Sequence, residues 1–264
     1  MDDNTLRDYF KRIGYTGGYN PVLETLQLLH EHHVQAIPFE NLNSFSGLPV
    51  KLDLESLIQK LLYEERGGYC YEQNLLFWEI LKTLGFQVKG LEARVLSDTS
   101  EENILPRTHM LLLVKLKSIF YTTDVGFGGL NPAIPLMLEP DIIQKGPHED
   151  YRFLYKESNY ALQVNIQNKW KPLYSFDLQE QFPSDYEVPN WYISCNPASK
   201  FVKDLMASRR APTCRYTLNN NKFTIYHYGK DIEKHILSTV PQLKEILIDT
   251  FGLTLSTLAG LTLK

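Results

Sequence analysis

Cysteine is scarce in this 264-residue chain, and Cys70, Cys195 and Cys214 are the whole complement. The number is odd, the spacing is wide and no CxxC pair occurs. This pattern excludes a disulfide scaffold or a thiolate zinc site and points to a reducing cytoplasm. Long apolar runs are missing too: no stretch approaches the roughly 20 residues of a membrane-spanning helix. Basic residues are neither clustered nor in excess, and the net charge is -4 with both signs interleaved. Such a surface predicts no nucleic-acid partner and no polybasic membrane contact. The acidic opening Met1-Asp2-Asp3-Asn4 does not read as a signal peptide. Internal repeats and low-complexity tracts are absent. What remains is 43% hydrophobic and 22% charged, the balance of an ordinary globular protein with one large domain or two to three small ones. No feature speaks for an oligomeric state.

The stretch richest in chemistry is Arg66-Gly67-Gly68-Tyr69-Cys70-Tyr71-Glu72-Gln73-Asn74. Leu76, Phe77, Ile80, Leu81 and Leu84 then recur at helical spacing until Gly85 stops the run. The pattern predicts Cys70 at or near the first turn of a helix, behind two glycines that permit tight turns and close approach. The positive end of a helix stabilises an anion, so a thiol placed there loses its proton more readily. A nucleophilic thiol and a buried structural cysteine both fit, because a partner histidine is supplied by the fold and not by the local sequence. Cys195 and Cys214 have no nearby histidine-acid pattern and read as structural.

The other elements before Gly85 read as helices. Residues 5–13 put Leu6, Tyr9, Phe10 and Ile13 on one face, and Pro21 suits the first turn of a second helix over 22–34. His30, Glu31, His32 and His33 stand near its end. Adjacent histidines on a helix point apart and no further ligands follow at a metal spacing, so a solvated, dipole-matched helix end is preferred to a metal site. In Ile37-Pro38-Phe39-Glu40-Asn41-Leu42 the proline breaks the helix. Glu40 there is either a surface charge or a buried partner for Arg66. Asp53 caps a third helix whose apolar stripe is Leu54, Leu57, Ile58, Leu61 and Leu62.

After Gly85 the pattern turns to strands. Residues 86–95 alternate in part, 97–103 are polar and read as a loop, and 109–114 form a continuous apolar run that suggests burial on both faces. Residues 119–125 make another strand, ending at Gly126-Phe127-Gly128-Gly129. If these last two strands form a hairpin turning at Leu116-Lys117, His109 lies directly opposite Asp124, with Cβ atoms about 5 Å apart on one face. Leu116-Lys117 is poor turn chemistry, and a slip of one residue would separate the two side chains. Residues 151–155, 160–166 and 171–177 read as further strands, and the set predicts a barrel or strongly curved sheet. Residues 183–189 read as a linker. Beyond it come a short helix over 197–206, a hairpin of 214–218 with 222–228, and a helix over 241–251 closed by Gly252.

Four stretches in this order resemble the arylamine N-acetyltransferases, and the short C-terminus resembles that of the bacterial members. The stretches are Ile37 to Leu42, Arg66 to Asn74, Thr108-His109-Met110-Leu111-Leu112, and Asp124-Val125-Gly126-Phe127-Gly128-Gly129. A weaker match runs through 170–176 and 190–218, so the resemblance spans nearly the whole chain. It implies an α+β fold around a papain-like core: an N-terminal helical bundle (1–85), a central β-barrel (86–182) and a C-terminal α/β lid (183–264). It implies a Cys70-His109-Asp124 triad, no permanently bound cofactor, acetyl-CoA as co-substrate and a small aromatic amine or hydrazine as acceptor.

The implied chemistry explains the residue types. A free cysteine is largely protonated near pH 7. An imidazolium partner and the helix end supply thiolate, Asp124 orients His109, and His109 takes the proton of the attacking amine. The tetrahedral oxyanion calls for backbone N–H donors, Cys70 among them. Phe39, Tyr69 and Phe127 are either aromatic walls for the acceptor or core packing. Gly126, Gly128 and Gly129 either let the pantetheine arm approach the backbone or form a turn. Glu40 and Arg66, as a pair, would brace the turn beneath Cys70. The same triad also serves cysteine-dependent amide hydrolases and amide synthases with another acyl donor, and a silent binding module is the third alternative.

Overall fold

The computed structural model describes residues 1–96, 104–255 and 261. Helix α1, Asp3–Ile13, begins where the Asp2 carboxylate accepts the Thr5 N–H at 2.8 Å and ends at Gly14 in the left-handed region. Helix α2, Leu23–Ala36, buries Leu26, Leu29, His30, His33 and Val34. Strand β1 is Phe39–Glu40 and α3 is Leu42–Phe45. Asp53 caps α4, Leu54–Ile58, which continues into a π-helical turn, Gln59–Tyr63. Helix α5, Cys70–Thr83, is buried along most of its length. Residues 1–85 are therefore helical apart from β1 and their connections.

Strands β2 (Gln87–Val95), β3 (His109–Leu116), β4 (Ile119–Thr123), β5 (Leu136–Met137), β6 (Gln144–Lys145), β7 (Asp150–Lys156), β8 (Asn159–Ile166) and β9 (Lys169–Phe176) follow. They pair antiparallel in the order β5-β4-β3-β2-β9-β8-β7-β6, a nearly closed, barrel-like sheet. The apolar run of β3 is buried on both faces, as its composition predicts. Met110, Leu112 and Val114 join the helical core with Leu26, Leu61 and Phe77, while Leu111 and Leu113 enter the barrel core with Phe153, Leu162 and Phe176.

Helices α6 (Glu187–Cys195) and α7 (Lys200–Lys203) lead to β10 (Met206–Arg210), β11 (Cys214–Asn219), β12 (Lys222–His227) and β13 (Ile232–Ile236). With β1 these make a five-stranded sheet in the order β1-β10-β11-β12-β13. Helix α8, Val240–Glu245, and a second π-helical turn, Ile246–Thr250, pack on it through Leu243, Leu247 and Phe251. Among the described residues no helix is long and apolar enough to cross a membrane.

Several expectations are corrected. Residues 183–189 are not a linker: a 3-10 turn, Pro183–Tyr186, runs straight into α6, and Tyr186 is buried with its hydroxyl donating to the Leu91 carbonyl at 3.2 Å. Pro183 starts a helical turn here, a position where its missing N–H costs nothing. The helix expected over 197–206 shrinks to α7 because β10 takes over at Met206. Strand β13, with its five exposed residues, lacks the alternation that marks a strand. The polar stretch 97–103 lies outside the described residues. His30 and His33 are not a solvated helix end: both are fully buried. The Tyr9 hydroxyl donates to His33 Nδ1 at 3.0 Å, His33 Nε2 donates to Gln73 Oε1 at 3.2 Å, and His30 Nδ1 bonds Thr123 Oγ1 at 2.8 Å.

Candidate active site

Cys70 is the first residue of α5, 4% exposed, with its S–H donating to the Thr108 carbonyl at 3.7 Å. The glycines ahead of it are demanded by contact. A Cβ on Gly67 would lie 2.1 Å from the Pro38 oxygen, and one on Gly68 would lie 2.8 Å from the Glu72 carboxylate.

The β3–β4 hairpin pairs Leu116 with Ile119 and Leu112 with Thr123. Its turn is therefore Lys117-Ser118, with Lys117 at a φ of 56°, and not Leu116-Lys117. The predicted register is displaced by two residues. An even displacement leaves every side chain on its face, so His109 and Asp124 still meet although they are not directly opposed. Asp124 sits just past the end of β4, and His109 Nε2 donates to its Oδ2 at 2.7 Å.

The other carboxylate oxygen holds the turn. Asp124 Oδ1 accepts from Asn74 Nδ2 at 3.0 Å, Gly126 N at 3.0 Å and Phe127 N at 3.1 Å. Asn74 in turn accepts from Val125 N at 3.0 Å and donates to the Met110 carbonyl at 2.8 Å. Burial of Asp124 works to raise its pKa, but the His109 charge and these hydrogen bonds outweigh it and hold the group below the usual carboxylate value. For His109, burial pulls the pKa down, yet the Asp124 charge, its hydrogen bond and the hydrogen bond with Cys70 raise it to about 10. Nε2 is occupied by Asp124, so Nδ1 is the ring nitrogen left for the thiol. The imidazole is clamped by Tyr174, centroid at 4.9 Å, and by the edge of Phe127 at 5.0 Å. Burial, with the Asp124 charge, holds the Tyr174 hydroxyl well above its ordinary pKa, so it stays neutral beside the triad.

The remaining predicted residues sort differently. Phe127 and Phe39 are partly exposed, and Phe39 packs edge-on against Phe201. Tyr69 offers no wall: it has no exposed surface, it packs against Tyr71 and Phe201, and its hydroxyl donates to Asn190 Oδ1 of α6. Two of the three glycines are taken up by packing. A Cβ on Gly126 would lie 2.5 Å from Cys70 Cα, and one on Gly128 would lie 2.9 Å from the Phe39 ring. Gly129, at a φ of 73°, has open space where a Cβ would stand. Glu40 and Arg66 do meet, Nη2 to Oε1 at 2.7 Å, and Glu40 Oε2 accepts the Leu42 N–H at 2.6 Å. Both side chains are buried, so removing either partner costs roughly 3–5 kcal/mol. Cys214 is buried, whereas Cys195 is exposed and is not a core cysteine. Among the described residues no three His, Cys, Asp or Glu side chains stand together as a metal site.

Asn74, Lys60, Glu72 and Tyr174 had no predicted role. Asn74 was within reach, because a residue four after Cys70 shares its helix face. Tyr174 carried no local signal, since β9 joins β2 only through the barrel order.

A family model described as N-acetyltransferase matches residues 22–259. An arylamine N-acetyltransferase of Escherichia coli K12 is 39% identical over 249 residues, covering 94% of this chain and 88% of that protein. The chain belongs to the arylamine N-acetyltransferases. It resembles their bacterial members and is an acyltransferase. Solved arylamine N-acetyltransferases share the fold. The one from Mycobacterium tuberculosis superimposes with a TM-score of 0.92 at 36% identity, covering 95% of this chain and 94% of that one. One from Mycobacterium marinum, in complex with CoA, gives 0.93 at 35%, covering 97% and 95%.

Proposed function

We propose that the chain transfers an acetyl group from acetyl-CoA to the nitrogen of a small aromatic amine or hydrazine, through an acetyl-Cys70 intermediate. The observation that carries this reading is the thiol at the positive end of α5, electrostatically linked to an imidazole that Asp124 holds from behind at 2.7 Å. The names of the relatives support the acceptor class, and the CoA-bound relative supports the donor.

In the first half-reaction the Cys70 thiolate attacks the thioester carbonyl carbon. The developing oxyanion is received by N–H groups at the start of α5. The intermediate collapses, the bond to the CoA sulfur breaks, and the imidazolium of His109 protonates the departing thiolate. In the second half-reaction the amine nitrogen attacks acetyl-Cys70, His109 accepts its proton, and the Cys70 thiolate leaves. Asp124 keeps one ring nitrogen protonated throughout and stabilises the charged imidazole. Phe127 and Phe39 present partly exposed rings for an aromatic acceptor. The open space over Gly129 gives the pantetheine arm a route along the backbone. Three unpaired cysteines suit a reducing cytoplasm.

CoA release from acetyl-CoA, measured with and without a panel of arylamines and arylhydrazines, tests the reading. Beyond a single stoichiometric burst, release should depend on the amine, and all release should vanish in Cys70→Ala. Steady release without any amine would make the chain a thioester hydrolase, and full activity in Cys70→Ala would remove the nucleophile.

A further inference from the structure

Glu72 lies two residues beyond Cys70, a little over half a turn round α5, and faces away from the triad. Its Oε2 accepts the Tyr69 N–H at 3.1 Å, and its Oε1 receives Lys60 Nζ at 2.5 Å. Lys60 Nζ is also 3.8 Å from Glu40 Oε1, the oxygen that Arg66 holds at 2.7 Å. Two carboxylates and two cations thus cancel behind the first turn of the helix. Glu40, Glu72 and Arg66 have at most 2% of their side chains exposed, and Lys60 has 12%. A solvent-open recess of about 570 Å³, lined by Lys60, Arg66, Glu72, Asp53 and Glu64 among others, lies over this cluster. The π-helical turn Gln59–Tyr63 carries Lys60 into place, and the Lys60 carbonyl accepts the Arg66 N–H at 3.0 Å.

A carboxylate in the first turn satisfies the positive end of a helix. For the same reason it competes with a thiolate at the first residue for that end. We infer that Lys60 is a positioning residue for the nucleophile: by neutralising Glu72 it keeps the carboxylate on the Tyr69 N–H and leaves the positive end of α5 to the Cys70 thiolate. This rests on Cys70 being the nucleophile.

The titratable groups within electrostatic reach of Cys70 are His109, Tyr69, Tyr71 and Tyr186, and those within reach of Glu72 are Lys60, Glu40 and Tyr69. Burial pushes all three tyrosines above their ordinary pKa, so they stay neutral in the working range. Burial also raises Glu72, Lys60 opposes that rise, and Glu40 adds to it. Without the ammonium, Glu72 is either an uncompensated charge behind the thiolate or a group that titrates nearer neutrality. Either state alters how thiol reactivity depends on pH.

The test is the rate of iodoacetamide alkylation of Cys70 in the whole protein, followed by peptide mass between about pH 5 and pH 9. Lys60→Met should slow alkylation near pH 6 by about tenfold and move the midpoint of the profile up by about one pH unit. Lys60→Arg should restore the rate to within about twofold. So should the double variant Lys60→Met with Glu72→Gln, because glutamine keeps an oxygen for the Tyr69 N–H without the charge. A Lys60→Met profile that superimposes on wild type would overturn the inference, as would a double variant no faster than Lys60→Met. Should Lys60→Met fail to fold, Lys60→Gln takes its place: a slowed profile supports the inference and a wild-type profile overturns it. Cys70→Ser that retained acetyl transfer would instead defeat the nucleophile reading, an outcome separate from the alkylation profiles.

Discussion

Asp124 divides its two oxygens between two tasks. Oδ2 takes the His109 N–H, while Oδ1 gathers Asn74, Gly126 N and Phe127 N into the turn that follows β4. Asparagine can place its oxygen at the Oδ1 position and keep the turn, but its NH₂ then faces His109 and stabilises neither the tautomer nor the imidazolium. Asp124→Asn should therefore leave the melting temperature within a few degrees while kcat/KM falls on the order of 10⁴-fold. Activity within about tenfold of wild type, in parallel assays of purified protein, would mean that another acid serves His109. The sequence already placed Cys70 at a helix start, because glycines and apolar spacing act locally. It could not say that Tyr69 would be sealed into the core or that Gly126 would rest on Cys70 Cα, since those contacts join segments tens of residues apart.

Helix α2 shows how an element constrains its residues. Leu26, Leu29, His30, His33 and Val34 fall at helical spacing on the buried stripe, so the stripe itself could have identified two core histidines. Two like charges in that position would face the cost of burial, and desolvation holds His30 down to about 4 and His33 to about 3. Unfolded histidine takes up a proton near pH 6.5. Below that value the unfolded chain binds protons that the folded chain refuses, so these two rings cost no stability above about pH 6.5 and erode it as pH falls toward their folded values. The erosion is on the order of a few kcal/mol for each ring. His109 has the opposite sign: its contribution is full below about pH 6.5 and is lost as pH rises through about 10. Thermal melts of wild type should fall steeply from pH 7 to pH 4.5, and His33→Gln should give a shallower slope over the same window. Equal slopes would place the acid sensitivity elsewhere. Element type and order were mostly legible from periodicity. The Lys117-Ser118 turn, the π-helical turns and strand β13 were not, because each is set by tertiary packing against a neighbour and not by its own residue pattern.

At the scale of the whole molecule, the site exists because three bodies of secondary structure converge on the start of α5. The helical segment presents the thiol, and the barrel presents His109 and Asp124 from β3 and from the end of β4. The C-terminal sheet recruits Phe39 and Glu40 as its edge strand, pairing them with Ser208 and Ala207. Ser208 Oγ also accepts the Gly129 N–H at 2.8 Å, tying that sheet to the turn after Asp124. The chain order of these pieces was visible, but their convergence was not, since no local pattern reports which segments of distant sequence will share a face. The central claim is that an acetyl group rests on Cys70 between two separate events. Intact-protein mass spectrometry after mixing with acetyl-CoA alone should show one added acetyl group, mapped to Cys70, with a stoichiometric burst of free CoA. An arylamine added afterwards should discharge it. Unmodified protein that still acetylates an amine when acetyl-CoA and amine are present together would contradict the account and require direct transfer in a ternary complex.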